Sequence, residues 1–233
     1  IVTNGLGCVS IDTATVASPE PIIANLSTTP VTCFGDCDGT ATVGPTGGVA
    51  PYQYVWDPAP LVGQGTPQAE GLCAGVNEVT ITDADGCSIE VPILILSPDL
   101  LTADVDVLPI TCNGACNGSI VVTPQGGTAG YTFTWTPVPP NGQGSNSATG
   151  LCAGDWTVVV EDANGCDTTI TITLTDPPVL AADLTPTDNA CFGECAGTAS
   201  LVISGGVPDH AIVWADANGT VFATDTTEVN ALC

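Results

Sequence analysis

The sequence predicts an all-β protein: a tandem array of immunoglobulin- or fibronectin-type antiparallel β-sandwich repeats of 79 residues, stapled by disulfides. Three observations predict it: an internal period, short alternating strands, and twelve cysteines confined to four repeat positions. The period is plain at Cys33, Cys112 and Cys191, which lie 79 residues apart. Because each repeat is one folding unit copied along the chain, the period fixes the architecture before any single residue is interpreted.

The period also divides the chain. Residues 1–18 match the end of a repeat, 19–97 and 98–176 are complete β-sandwich repeats, and 177–233 is a truncated one. We expect the chain to be a window cut from a longer array. In an alternative arrangement, residues 1–18 of one chain complete the truncated last repeat of another by strand addition.

Strand signals run through each copy. In the second repeat Tyr131, Phe133 and Trp135 alternate with threonines, which is typical of a strand with one buried face. Turn residues such as the Asp-Ala-Asn-Gly run at 162–165 separate such stretches. Six or seven short strands in about 80 residues favour an antiparallel sandwich. The recurring tryptophan of the third strand is the expected core centre of each copy: Trp56, Trp135 and Trp214.

Composition excludes several classes of partner. The chain has 25 Asp and Glu residues, no Lys or Arg, and a formal net charge of −25. Nucleic-acid binding and attachment to anionic membranes both depend on cationic side chains, so neither is expected. Hydrophobic residues make up 44% of the chain, which is enough to form cores rather than a disordered polyanion.

Twelve cysteines at regular positions favour disulfides and an oxidising, extracellular compartment over a metal site, since the chain has a single histidine. If the strands run as in fibronectin-type modules, the first turn and the turn before the sixth strand of the seven lie at the same end. That topology predicts three bridges within repeats, Cys37–Cys73, Cys116–Cys152 and Cys195–Cys233. Because Cys87 begins a strand at the opposite end, Cys33 is expected to reach the next repeat and bond Cys166.

One pattern recurs in the copies, and the first copy carries it at Cys33, Gly39, Gly47, Gly48, Pro51, Tyr52, Tyr54, Trp56, Leu72, Gly75, Asp83, Gly86 and Cys87. This pattern resembles the SprB-type repeat of giant cell-surface gliding adhesins of Bacteroidota. The third copy departs from it, with His210 and Ile212 in place of the two tyrosines. The resemblance implies a secreted, filamentous adhesin at the cell surface, exported by the type IX system and acting in adhesion or gliding. The second cysteine pair of each copy goes beyond the family pattern.

Candidate sites are few. No catalytic residue is expected, because the only histidine, His210, replaces a strand aromatic and because loop acids differ between copies. No cofactor is expected except calcium, for which the hairpin turns offer Asp83, Asp85, Asp162 and Asn164 as oxygen ligands. The same residues are also strong hairpin-turn formers, which is the alternative interpretation.

The leading hypothesis is an acidic, disulfide-stabilised stalk without enzymatic activity, whose partners are neighbouring repeats of one long chain. Two alternatives remain open. The loops at 59–68 and 138–147 are candidates for binding glycans or another external surface. Alternatively, several copies assemble laterally into an extracellular filament or surface layer.

Overall fold

The computed structural model describes residues 1–232, and every regular element in that range is a β-strand. Nineteen strands follow one another: β1 Val2–Thr3, β2 Val9–Ser10, β3 Leu26–Thr29, β4 Gly39–Val43, β5 Gln53–Asp57, β6 Gln68–Leu72, β7 Gly75–Thr82, β8 Ser88–Ile95, β9 Thr102–Leu108, β10 Gly118–Gln125, β11 Thr132–Thr136, β12 Ser147–Leu151, β13 Gly154–Glu161, β14 Asp167–Leu174, β15 Ala181–Thr187, β16 Gly197–Ser204, β17 Val213–Ala215, β18 Val221–Thr224 and β19 Glu228–Leu232.

Two complete sandwiches share one topology. In the first module, one antiparallel sheet has the order β3-β4-β6 and the other has the order β5-β7-β8. The second module repeats it as β9-β10-β12 and β11-β13-β14. Strands one, two and four facing strands three, five and six is the arrangement of an immunoglobulin constant-type sandwich without its fourth strand. The predicted all-β sandwich fold is confirmed.

The third module is partial within the described residues. Its first sheet, β15-β16-β19, matches that of the other modules, whereas its second contains only the pair β17-β18. At the other end of the chain, β1 and β2 form a hairpin of their own. Residues 1–100 form one compact unit, and a second begins at Leu101.

Alternating side chains build each core. Along β7 the residues Asn77, Val79 and Ile81 are buried and their neighbours are not, which is the two-residue period of a strand with one face inward. The centre of the first core is Trp56, with 2% of its surface exposed, and that of the second is Trp135, with 1%. The prediction was too strong for Trp214, which is only half-buried because the two strands that cover its counterparts are absent from the described part of its module.

Within the described residues, no helix has the length and apolar character to cross a membrane.

Candidate functional site

A disulfide closes one end of each complete module. Cys37 precedes β4 and Cys73 follows β6, and these strands pair through Gly39 and Leu72. The paired ends therefore bring the two cysteines together, and the structure bonds them across 36 residues of sequence. Gly39 is required at this corner, since a Cβ there would lie 2.7 Å from Ile95 Cγ2 and 2.9 Å from the Leu72 carbonyl oxygen.

The second module repeats the bond as Cys116–Cys152, again across 36 residues. Both pairs are those that the strand topology predicts. Cys195 is disulfide-bonded too, but its predicted partner, Cys233, lies outside the described residues. Cys33 and Cys166 are also disulfide-bonded, and their pairing with each other stays a prediction.

Beside each of these disulfides, a threonine forms a hydrogen bond with the residue that follows the first bridged cysteine. The Thr32 amide donates to Asp38 Oδ1 over 2.8 Å, and the Thr32 hydroxyl donates to Oδ2. These bonds hold the pKa of the Asp38 carboxyl below its usual value, and the bond from the Thr32 hydroxyl is the larger cause. In the second module the Thr111 amide donates to Asn117 Oδ1 over 3.1 Å. An aspartate in one copy and an asparagine in the next thus serve the same turn.

The carbonyl of the second staple cysteine is held by two different side chains in the two copies. Asn77 donates its amide to the Cys73 carbonyl over 3.1 Å, and Trp156 donates its indole N–H to the Cys152 carbonyl over 3.0 Å. Asn77 and Trp156 occupy the same repeat position. The residue at this position differs between the two copies, but the hydrogen bond to the cysteine carbonyl is preserved.

The recurring tryptophan of each copy also donates a hydrogen bond to the segment just before β6, β12 or β19. The indole N–H of Trp56 donates to the Thr66 carbonyl over 2.9 Å, and Trp135 and Trp214 make the equivalent bond over 2.8 Å. In the first module Gln64 caps the same loop by accepting the Trp56 amide N–H over 2.9 Å. The loops at 59–68 and 138–147 are therefore organised from within.

The tyrosine at the start of the third strand hydrogen-bonds the diglycine turn, which is Gly47–Gly48 in the first module and Gly126–Gly127 in the second. The Tyr52 hydroxyl donates to the Gly47 carbonyl, and Tyr131 donates to the Gly126 carbonyl over 2.6 Å. His210, which replaces this tyrosine in the third copy, places its Nε2 3.2 Å from the Gly205 carbonyl oxygen. The sole histidine thus takes over a turn contact.

The hairpin acids proposed as calcium ligands also hydrogen-bond, and so lock, the backbone of their turns. Asp83 accepts the amide N–H groups of Asp85 and Cys87 at Oδ1, over 3.0 and 2.9 Å, and that of Val49 at Oδ2 over 3.1 Å. Burial alone raises the pKa of this carboxyl, but the backbone N–H bonds outweigh burial and the net pKa is lowered. Gly48 leaves room for the lock, since a Cβ there would lie 2.8 Å from Asp83 Oδ2.

Asp162 repeats the lock with the amides of Thr128, Asn164 and Cys166 over 2.8, 2.8 and 2.9 Å, and its pKa is lowered for the same reasons. Each lock joins the hairpin to the diglycine turn 34 residues earlier. Within residues 1–232, no group of three or more His, Cys, Asp or Glu side chains is placed to hold a metal ion. Calcium binding at Asp83, Asp85, Asp162 and Asn164 stays a prediction.

The locks predict an acid-sensitive contribution to stability. Because both folded pKa values are lowered, the contribution is complete above the unfolded value of about 3.9 and is lost as the pH falls through the folded value. We expect the double variant Asp83→Asn/Asp162→Asn to melt lower than the wild type at pH 7. The gap in Tm should shrink steadily below about pH 4.

Thermal melts from pH 7 to pH 2 measure that gap, and comparison with the wild type cancels the general loss of charge repulsion. Asp85→Asn is the matched control, because this exposed neighbour donates only its backbone amide to the lock. A gap that is constant over the whole pH range would contradict the lock.

Two segments of the chain, residues 25–60 and 105–139, match the family model described as SprB repeat. No curated protein matches the chain. Among solved structures, the chain is similar to the C-terminal 282-residue fragment of intimin in complex with the intimin-binding domain of the translocated intimin receptor. That match has 19% identity and a TM-score of 0.37, and covers 77% of this chain and 69% of that chain. A Dscam structure on isoform specificity matches at 11% identity and a TM-score of 0.26, and covers 93% and 65%. The two matched segments confirm the SprB-type resemblance.

Proposed function

Because the chain carries SprB repeats at residues 25–60 and 105–139, we propose that it is a structural region of a long secreted cell-surface adhesin. Its modules form an extended, acidic, disulfide-stabilised stalk that serves surface adhesion or gliding motility. It performs no reaction. Export by the type IX system and location at the cell surface are part of the same proposal.

The observation that carries the proposal is the recurrence of the same staple and the same internal locks in successive copies. Cys37–Cys73 and Cys116–Cys152 occupy equivalent positions and each join cysteines that are 36 positions apart. The side chains of the buried aspartates and of the core tryptophans form hydrogen bonds with main-chain groups of their own module. These disulfides and hydrogen bonds support a role in holding each module closed.

Charge supports the same role. With 25 acidic residues and no Lys or Arg, like charges in neighbouring modules repel, which favours extension at low salt. The absence of Lys and Arg also removes the sites cleaved by trypsin-like proteases, even from an unfolded segment. Both properties suit a fibre exposed outside the cell.

Single-molecule stretching tests the mechanical role. The variant Cys33→Ser/Cys166→Ser removes the predicted link between repeats and leaves the staples in place. In a module of 79 residues, the 36-position span between the bridged cysteines cannot extend while the disulfide is intact. At about 3.5 Å per residue, each of the two complete modules should release roughly 150 Å of chain, and roughly 275 Å after reduction.

Two steps of equal length that nearly double under reductant are the expected result. Steps of the longer length under oxidising conditions would contradict the proposal, because the staples would then not restrict extension. Antibody labelling of intact cells tests the location separately, and labelling only after permeabilisation would exclude a surface role.

The binding-module alternative concerns the loops at 59–68 and 138–147. Leu61 and Val138 are exposed there, while Gln64 is committed to the Trp56 backbone. A glycan array and a cell-adhesion assay with the immobilised chain separate the two functions. A stalk gives no saturable binding, whereas saturable binding lost in a Leu61→Ser/Val138→Ser variant would favour the binding module.

A further inference from the structure

The last strand of the second module, β14, is an edge strand. It pairs with β13 on one side only, in the sheet order β11-β13-β14. Its residues alternate strictly between exposed and half-buried from Asp167 to Thr173. The outer side of an edge strand presents unpaired main-chain N–H and C=O groups, which are a template for a strand of another chain. Such an edge needs either a cover or a partner.

The hairpin bonds determine which main-chain groups of β14 point outward. The Asp162 amide donates to the Cys166 carbonyl over 2.9 Å, so these two residues form a hydrogen-bonded pair. Because hydrogen-bonded and non-hydrogen-bonded pairs alternate along an antiparallel ladder, the next residue, Asp167, turns its main-chain groups away from β13. The same holds for every second residue beyond it: Thr169, Thr171 and Thr173.

The first module protects the equivalent edge in two ways. Pro92 occupies the repeat position of Thr171 and has no N–H group to offer, which is a common protection of edge strands in natural sheets. Further along the same edge, the Val31 amide donates to the Leu96 carbonyl over 3.0 Å, so the segment after β3 covers this end. The edge of β8 is therefore a poor template for another strand.

The second module lacks both protections. Thr171 supplies the N–H group that Pro92 does not have, and among the described residues no bond equivalent to that of Val31 reaches the end of β14. The side chains differ as well, since Ile93 is fully buried whereas its counterpart, Ile172, is half-buried. The edge of β14 thus combines open main-chain groups with an apolar side chain that lacks part of its cover.

The other edges of the second module are occupied or charged. Asn141 forms a β-bridge with Thr149 along β12. The Gln143 side chain accepts the Trp135 amide N–H over 3.2 Å along β11. The remaining edge strand, β9, carries two exposed aspartates, and charged side chains are another common protection of an edge. The edge of β14 is therefore the one best suited to pairing.

We propose that β14 of one chain pairs antiparallel with β14 of a second copy, with Thr171 at the two-fold axis. Identical edges are self-complementary in such an isologous contact. Thr171 then exchanges main-chain hydrogen bonds with its own counterpart, and Thr169 does so with Thr173 of the second copy. Ile170 lies opposite Ile172 of the second copy, so the half-buried side chains cover each other. The two three-stranded sheets become one sheet that runs through both chains.

The register suits an acidic chain. On the outward face Thr157 lies beside Thr171, and Asp155 lies beside Thr173. Since Thr173 faces Thr169 of the second copy, these rows place no carboxylate directly opposite another, an arrangement that would be destabilising. The whole chains still repel each other, because each has a formal net charge of −25. Salt screens this repulsion, so the association should strengthen as the salt concentration rises.

Sedimentation velocity of the full chain tests the pairing. The free thiols are first capped with iodoacetamide in the absence of reductant, so that new disulfides cannot join chains and the existing ones stay intact. The wild type should shift toward twice the mass of the monomer as the protein and NaCl concentrations rise. Thr171→Pro, which introduces the residue that the first module has at this position, should stay monomeric at every salt concentration.

Thr171→Val is the matched control, because it removes the hydroxyl but keeps the β-branched shape and the main-chain N–H group. It should associate as the wild type does. Equal association of Thr171→Pro and the wild type would overturn the proposal. Loss of association in Thr171→Val would overturn it as well, since side chains on the sheet face would then provide the contact.

Hydrogen exchange in the wild type gives a readout that needs no substitution. The amides of Thr169, Thr171 and Thr173 should exchange as unpaired groups in the monomer and should slow in proportion to the fraction of chain that is associated. The amides of Glu90 and Leu94, at the matching positions of the first module, should exchange at the same rate throughout. Protection that rises in both modules alike, or in neither, would contradict the pairing.

This side-by-side contact goes beyond the proposed stalk and does not depend on its adhesive role. Chains that bind no surface can still pair through β14, and a failure of pairing would leave the stretching steps of the stapled modules unchanged.

Discussion

Removal of the Cys37–Cys73 bridge, by the double variant Cys37→Ser/Cys73→Ser, is expected to lower the free energy of unfolding of the first module by about 3 to 4 kcal/mol. The bridged cysteines are 36 positions apart in sequence, and on the chain-entropy model closing a loop of about this length destabilises the unfolded state by about 3 to 4 kcal/mol. For a module of about 80 residues the loss corresponds to a fall in Tm of roughly 15 to 30 °C.

Differential scanning calorimetry measures the effect within one molecule. The second module keeps its Cys116–Cys152 staple, so the trace should separate into an early transition and an unchanged one. Cys112→Ser, which removes an exposed free thiol, is the control and should leave the trace unaltered. A loss below about 1 kcal/mol in the double variant would mean that the staple contributes little to stability.

Truncation of the first core tryptophan, Trp56→Ala, is the second large effect. We expect a loss of about 3 to 5 kcal/mol, because a buried aromatic is replaced by a cavity that the surrounding strands fill only in part. The variant also leaves the Thr66 carbonyl without its indole donor. Such a loss is a large part of the stability of a small domain, so the first module should be largely unfolded at moderate temperature.

Urea denaturation followed by circular dichroism measures the loss. Val55→Thr is the matched control, since this adjacent residue points outward and remains β-branched, and it should change stability by less than about 0.5 kcal/mol. Trp56→Phe should fall between the two, because it keeps much of the packing and loses the hydrogen bond. Equal losses in Trp56→Ala and Val55→Thr would show that Trp56 is not the core centre.

The sandwich and its staples are predictable from sequence because they depend on local patterns. Alternation in Tyr131, Phe133 and Trp135 marks a strand by itself, and the tandem register repeats every such signal. Once the strand order of a fibronectin-type module is assumed, Cys37 and Cys73 fall at the same end. The pairing of β4 with β6 at Gly39 and Leu72 provides that juxtaposition.

The role of the hairpin acids is not predictable in the same way. Asp83 and Asp162 lie in turns that resemble oxygen-rich cation sites, because Asp85 and Asn164, two residues later, also carry oxygen ligands. The lock depends on the approach of amide N–H groups, and one of these comes from Val49, 34 residues away in sequence. A contact of that range is visible only in the folded chain.

Two other features escape a residue-by-residue comparison of copies. Asn77 and Trp156 look unrelated, yet each donates an N–H group to the carbonyl of a staple cysteine. Trp214 looks identical to Trp56, yet it is less buried because burial depends on strands from elsewhere in the fold. Side-chain identity is thus an imperfect guide to both hydrogen bonding and packing.

The tryptophan loop bond described above has a consequence for how such arrays change over time. Its acceptor is a main-chain carbonyl, provided in turn by Thr66, Ser145 and Thr226, and every amino acid supplies that group. Segments exchanged between copies by recombination therefore meet the same anchoring geometry whatever their sequence. Recombination between copies can therefore lengthen, shorten or shuffle the array without losing this bond.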